Sequence, residues 1–260
     1  MQNKTYKFLL VIIIFIFIFL NYNTLDSFVI KNLSNEEIIE VERVVDGDTV
    51  IVEGNSFRLL GINTPERGEY LYLEAKEFLE KNSLNKSLKV ERKGQDRYQR
   101  ELVYLYEGNK NLNLELVEEG YANYYFPSGK DRYYNEFVKT WEECIKNNKN
   151  LCEKSLDKCS SCVELYEWDF TNQKIVLRNK CSFDCSLNDW TIKDEGRKKF
   201  VFDDFTIKSF ENVEIIVGKG TNTNEKLYWG GEEYVWTSSG DTIFIRDNEN
   251  KLVLWKSQNY

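Results

Sequence analysis

The sequence predicts a mainly β chain in two units, a small barrel with about three helices and then a β-sandwich. Three observations predict it. Apolar residues alternate through Ile39, Val41, Val50, Val52, Phe57 and Leu59, the period of half-buried strands. Segments further along the first half instead repeat apolar residues at helical spacing. From Cys162 onward no helical period persists, and short β-rich runs are separated by turn residues.

Lys4 and Lys7 precede an unbroken apolar run from Phe8 to Leu20. A positive flank before such a run is the pattern of an export segment, either a secretory signal or an uncleaved anchor. No small-residue cleavage site follows, which favours an anchor over residues 1–25 with Tyr6 and Tyr22 at the interfaces, although the run is short for a span. In both cases the chain beyond residue 25 is expected outside, membrane-anchored or secreted. Residues 26–37 are polar and aperiodic, a tether.

The first unit is expected over residues 38–154. Gly54-Asn55 marks a hairpin, and Leu71, Ala75, Phe78 and Leu79 share one face of a helix near residues 69–81. Strands follow near 88–92 and 101–107. Asn111 can cap a short helix that Gly120 ends, and Asp131 a third with Tyr134, Phe137, Val138, Trp141 and Ile145 on one face. Three strands, a helix, two strands and two helices suit a five-stranded OB-type barrel. In residues 155–260, eight short runs (163–168, 174–179, 190–193, 199–202, 213–217, 234–236, 241–246 and 252–255) suit a β-sandwich.

A net charge of −8 excludes a protein that coats nucleic acid over its whole surface, since non-specific affinity comes from neutralising phosphates. A local site is not excluded. Arg92, Lys93, Arg97, Arg100, Lys130 and Arg132 gather near the motifs below, as an ordinary solvated face would also do. All six cysteines, at 144, 152, 159, 162, 181 and 185, fall in the second half. An even count in an exported chain favours disulfides, while Cys159-x2-Cys162 with Cys181-x3-Cys185 also has the spacing of a structural zinc site.

Four motifs carry the chemistry: Asp46-Gly47-Asp48-Thr49, Phe57-Arg58-Leu59-Leu60, Asn63-Thr64-Pro65-Glu66 and Asp96-Arg97-Tyr98-Gln99-Arg100. They supply oxygen ligands for a hard cation, a carboxylate base and two guanidiniums, the set that attack of water on a phosphodiester needs. Singly each has a bland reading, Asp-Gly as a hairpin turn and a strand arginine as a surface ion pair. As an ordered set, with Leu116-Val117-Glu118-Glu119-Gly120-Tyr121-Ala122 following, they resemble the staphylococcal nuclease-like (thermonuclease) family.

The resemblance implies an OB-fold domain that hydrolyses DNA and RNA with Ca²⁺. By motif position, Asp48 would be the main carboxylate ligand, Asn63 a second side-chain ligand and Thr64 a ligand through its carbonyl. Glu66 would be the general base, with metal-activated hydroxide as the competing nucleophile source. Arg58 and Arg100 would bind phosphate, Asp46 would stand behind the ligands, and Arg97 and Tyr98 would contact the nucleotide. Tyr124, Tyr125 and Phe126 lie near the family's base-stacking tyrosines. Two departures stand out. Asn63 occupies a position that is usually aspartate, which lowers the ligand charge on which Ca²⁺ affinity depends. Cys152 replaces a frequent tryptophan, suggesting a covalent tie to Cys144.

In the second unit Leu187-Asn188-Asp189-Trp190-Thr191-Ile192, Phe200-x-Phe202 and Trp236-Thr237-Ser238-Ser239-Gly240-Asp241-Thr242 resemble the lamin-tail domain, an immunoglobulin-like sandwich. Such a domain is expected to bind an unknown ligand or to tether. Trp168, Trp190, Trp229, Trp236 and Trp255 could form a binding face or, more often for tryptophan, a core. The expectation is therefore a Ca²⁺-dependent nuclease at the membrane or outside the cell. An inactive nucleic-acid- or protein-binding OB module and a surface adhesin are the rivals.

Overall fold

The computed structural model describes residues 37–127, 129–237 and 240–259. The expected export segment and almost all of the tether lie outside them. Among the described residues no helix is long and apolar enough to cross a membrane.

The first unit runs β1 (Glu37–Glu40), β2 (Arg43–Asp46), β3 (Thr49–Val52), β4 (Asn55–Leu59), β5 (Gly61–Asn63), α1 (Tyr72–Ser83), β6 (Ser87–Gln95), β7 (Glu101–Glu107), β8 (Lys110–Asn111), α2 (Leu112–Glu118), β9 (Asn123–Tyr125) and α3 (Tyr134–Asn147). Its main sheet has the order β1-β6-β7-β4-β3-β2, with β8 added to β7. The two edge strands are consecutive in sequence, with only Val41 and Glu42 between them. The sheet must therefore curl until its edges approach, and it wraps a core of Val50, Phe57, Leu59, Leu88, Val103 and Leu105.

This curled sheet has seven strands rather than the expected five, because the first run divides at Val41–Glu42 and a short β8 is added. β5 and β9 form a separate two-stranded ribbon. At three residues each they are too short to show a period. α1 begins at Tyr72 rather than near residue 69, since Leu71 adopts a left-handed φ of 66° and Glu69 uses its carboxylate to accept the N–H of Glu66. Asn111 caps α2 as expected, accepting the N–H groups of Asn113 and Leu114. α3 starts three residues after Asp131, whose carboxylate takes the Tyr133 N–H and the Tyr104 hydroxyl.

The second unit is a β-sandwich: β10 (Val163–Asp169), β11 (Lys174–Asn179), β12 (Cys185–Ser186), β13 (Thr191–Lys193), β14 (Lys199–Val201), β15 (Thr206–Ile207), β16 (Asn212–Val217), β17 (Lys226–Trp229), β18 (Gly240–Arg246) and β19 (Leu252–Asn259). Two four-stranded sheets, β10-β11-β16-β17 and β14-β13-β18-β19, enclose Trp190, Trp229, Trp236, Ile192, Ile215 and Ile245. These tryptophans are core, not a binding face. Residues 234–236, expected as a strand, are irregular with a bend at Trp236, because Gln173 Oε1 accepts the N–H groups of both Val235 and Trp236. All six cysteines are bridged, Cys144–Cys152, Cys159–Cys185 and Cys162–Cys181, so the two cysteine pairs with zinc-like spacing tie to each other.

The units share apolar surface. Phe244 and Leu252 join the first unit's core, the Trp141 and Phe244 rings lie edge to face at 5.5 Å, and the Tyr124 and Thr242 hydroxyls meet at 3.2 Å.

Candidate active site at the contact of the two units

The turn between β2 and β3 carries the first motif. Asp46 Oδ1 accepts the Asp48 N–H at 3.1 Å, which sets the turn. Burial, and then the negative charge of Asp48, push Asp46 up to about 6. Asp48 is only 5% exposed. Its Oδ2 accepts the Thr64 N–H (3.2 Å) and hydroxyl (3.0 Å) and meets Arg58 Nη2 at 3.0 Å, while Oδ1 takes the Thr49 hydroxyl. β4 holds Arg58 opposite Thr49, and its guanidinium also donates to the Leu59 and Ile62 carbonyls.

Asn63 lies at the end of β5, paired with Asn123, and is 1% exposed. Its Nδ2 donates to the Gly196 carbonyl at 2.7 Å. Its Oδ1 is buried with no hydrogen-bond partner. A lone buried amide oxygen is costly, and it is a donor that a hard cation accepts. Asp48, Asn63 Oδ1 and the Thr64 carbonyl offer only oxygens, the donor type that a hard cation takes. Among the described residues no three His, Cys, Asp or Glu side chains cluster as a metal site, so this set depends on an amide and a carbonyl.

The remaining expected residues are arranged differently. Glu66, with its side chain 45% exposed, sits in the loop before α1. Arg100 is turned onto Asp96, its Nε 2.8 Å from Oδ2, in the β6–β7 turn. The parallel β4–β7 register sets Arg58 opposite Leu102, so Arg100 stands just before the strand that neighbours the one carrying Arg58. Arg97 donates to the Tyr98 hydroxyl, and its guanidinium lies 4.8 Å from the Tyr98 ring centroid. Tyr98 is largely exposed, but Tyr124 is buried, which removes it as a stacking surface. Arg92, Lys93 and Arg132 are paired with Glu37, Glu91 and Glu101, the ordinary solvated face. A cavity of about 320 Å³ opens elsewhere, beside Ile145, Ser155, Ser160 and Trp255, and holds none of these residues.

The staphylococcal nuclease homologue model matches residues 56–154, and the lamin tail domain model matches residues 161–259. Thermonuclease of Staphylococcus intermedius is 30% identical over 126 residues, covering 44% of this chain and 75% of that protein. The chain belongs to the staphylococcal nuclease homologue family. Thermonuclease of Staphylococcus hyicus is 29% identical over 130 residues (45% of this chain, 77% of that protein). An uncharacterized endonuclease of Haemophilus influenzae is 35% identical over 99 residues (36% of this chain, 56% of that protein). The Asp46–Thr49 turn precedes the stretch matched by the nuclease model.

The lamin-tail domain brings residues to this candidate site that no motif announced. The tip of its β13–β14 hairpin lies against the site. Besides the Gly196 carbonyl on Asn63, the Glu195 carbonyl accepts from Asn123 Nδ2 at 3.1 Å. Arg197 Nε pairs with Glu66 Oε1 at 2.8 Å, and Lys193 and Lys199 hold the two oxygens of Glu69. Burial alone would raise Glu69, but Lys193, the Glu66 N–H and Lys199 hold it at about 2. The one sequence signal was a run of cations, Lys193, Arg197, Lys198 and Lys199, in an acidic chain.

Proposed function

We propose that the protein is a Ca²⁺-dependent nuclease that hydrolyses phosphodiester bonds of DNA, RNA or both, acting at the membrane or outside the cell. The observation that carries the reading is the partnerless, buried Oδ1 of Asn63, adjacent in sequence to Thr64, whose N–H and hydroxyl bind the Asp48 carboxylate, with Arg58 on that same carboxylate. Ca²⁺, when bound, would neutralise phosphate charge and acidify the attacking water. Asp48, Asn63 Oδ1 and the Thr64 carbonyl would hold it, with Asp46 behind them.

Glu66 takes the proton as the water oxygen bonds to phosphorus and the P–O bond to the leaving ester oxygen breaks. Arg58 meets three acceptors in the protein, Leu59 O, Ile62 O and Asp48 Oδ2, out of the five N–H groups a guanidinium carries. The remainder can bond a phosphate oxygen as charge builds on it. Arg100 would leave Asp96 to do the same. Arg97 and Tyr98, exposed on the β6–β7 turn, are assigned to the nucleotide. The export pattern of the N-terminus and three disulfides support an extracellular setting.

The test is cleavage of single-stranded DNA and RNA by the purified chain with Ca²⁺ and with chelator. Glu66→Gln, with folding verified, is expected to lower turnover by roughly 10²–10⁴-fold. Equal turnover in chelator and in Ca²⁺ would remove the metal from the reading, and full activity in Glu66→Gln would remove the base.

A further inference from the structure

We propose that the tip of the β13–β14 hairpin is a working part of the nuclease centre: the Gly196 carbonyl orients the Asn63 amide, and Arg197 is a positioning residue for Glu66. This rests on the Ca²⁺-dependent nuclease reading above.

The Asn63 amide has two ends, and only the nitrogen can donate. Because the buried Gly196 carbonyl accepts from Nδ2 at 2.7 Å, Oδ1 is turned the other way and left without a protein partner. A hairpin that merely stoppered the site would take up that oxygen. This one leaves it presented to a cation. Aspartate at position 63 has no N–H to offer and would face the carbonyl with another acceptor. Asparagine is therefore the residue that can serve the hairpin and a metal together.

Arg197 acts on the neighbouring loop. A half-exposed glutamate samples several rotamers, and pairing with a guanidinium removes that freedom. Nε makes the 2.8 Å contact to Glu66 while the Arg197 side chain stays 61% exposed, so the hairpin holds the base without sealing it from solvent. The placement does not depend on one side chain. Glu195 O on Asn123 and the two lysines on Glu69 fix the hairpin on either side of Gly196.

Such an arrangement requires coupling: if docking orients a Ca²⁺ ligand, Ca²⁺ must strengthen docking by the same factor. Hydrogen exchange of the full chain, measured with and without Ca²⁺, reads this directly. Ca²⁺ is expected to increase protection at residues 194–198 together with residues 46–66, and Asn63→Asp, which lacks the donor, to abolish the response at 194–198. In turnover assays Arg197→Gln is expected to lower kcat by roughly 10²-fold, as a misplaced catalytic group does, with KM nearly unchanged. Arg197→Lys should recover part of the loss, a pattern that general loosening of the fold would not give.

Lower protection of the hairpin in Ca²⁺, or higher activity in Arg197→Gln, would make the hairpin a stopper and overturn the proposal. Protection at 46–66 without a response at 194–198, or an Arg197→Gln enzyme of unaltered kcat, would overturn it while leaving the nuclease reading intact. No response at either segment, with no Ca²⁺-dependent cleavage, would sink the nuclease reading and this proposal with it.

Discussion

A single methyl group decides whether the Asp46–Asp48 turn can exist. A Cβ on Gly47 would lie 2.9 Å from the Ala75 Cβ and from the Thr64 Cβ and Cγ2. Gly47 is not among the residues at positive φ, so glycine is required there for space and not for a dihedral angle. The turn is clamped between α1 and the loop that carries Thr64. Gly47→Ala should destabilise the protein by about 1–3 kcal/mol, the range for overpacking, measured by chemical unfolding. It should also lower nuclease activity, because Thr64 is one of the residues displaced. Wild-type stability in this variant would show that the loop yields freely and that the site is softer than described.

Among the elements, the Cys144–Cys152 bridge joins the end of α3 to a 3₁₀ turn at Asn150–Cys152, closing a loop of sequence separation 8. The loop is packed on α2's end: Leu151 N–H donates to the Gly120 carbonyl, and Asn150 Nδ2 to the Glu119 carbonyl. A loop this short is worth about 2–3 kcal/mol by chain entropy. Replacing both cysteines with serine should lower unfolding free energy by about that amount, in denaturant titration, while leaving the other two bridges intact. No change would mean that the packing around Gly120 already fixes the loop.

At the scale of the whole molecule, carboxylates are buried close to the contact of the two domains. Burial, and then the charge of Asp241, raise Asp194 from 3.8 to about 7 and Glu195 from 4.5 to about 8. Between those limits the folded chain keeps protons that the unfolded chain releases. The stability they contribute is full below about pH 4 and is lost as pH rises through 7 to 8, on the order of 1.4 kcal/mol per pH unit per group. Glu69, held at about 2, acts oppositely, but its contribution is complete above 4.5 and is lost only towards pH 2. In chelator, Tm should therefore fall from pH 5 to pH 8, and the double variant Asp194→Asn, Glu195→Gln should flatten that decline. An unaltered slope in the double variant would assign the pH dependence to other groups.

By itself the sequence determined the two units, most strands, the three helices among the described residues and the order of the four motifs, because these rest on period and local chemistry. Alternation specified β3 and β4, β-rich composition between turn residues specified β11, and Asn111 specified the start of α2. It determined the candidate carboxylates and arginines too, because a short motif carries its residue types with it. What it left open is what depends on distant partners. β5 and β9 pair across some sixty residues and are three residues long, so no local period marks them. Tyr234–Trp236 has strand composition, yet Gln173 takes its N–H groups. Asn63 stood out as a missing charge, and only the fold showed its amide nitrogen on Gly196, 133 residues away. Arg197 on Glu66 was hidden for the same reason. Local sequence encodes a residue's chemistry and its element, whereas the packing of one domain on the other decides which atoms that chemistry meets.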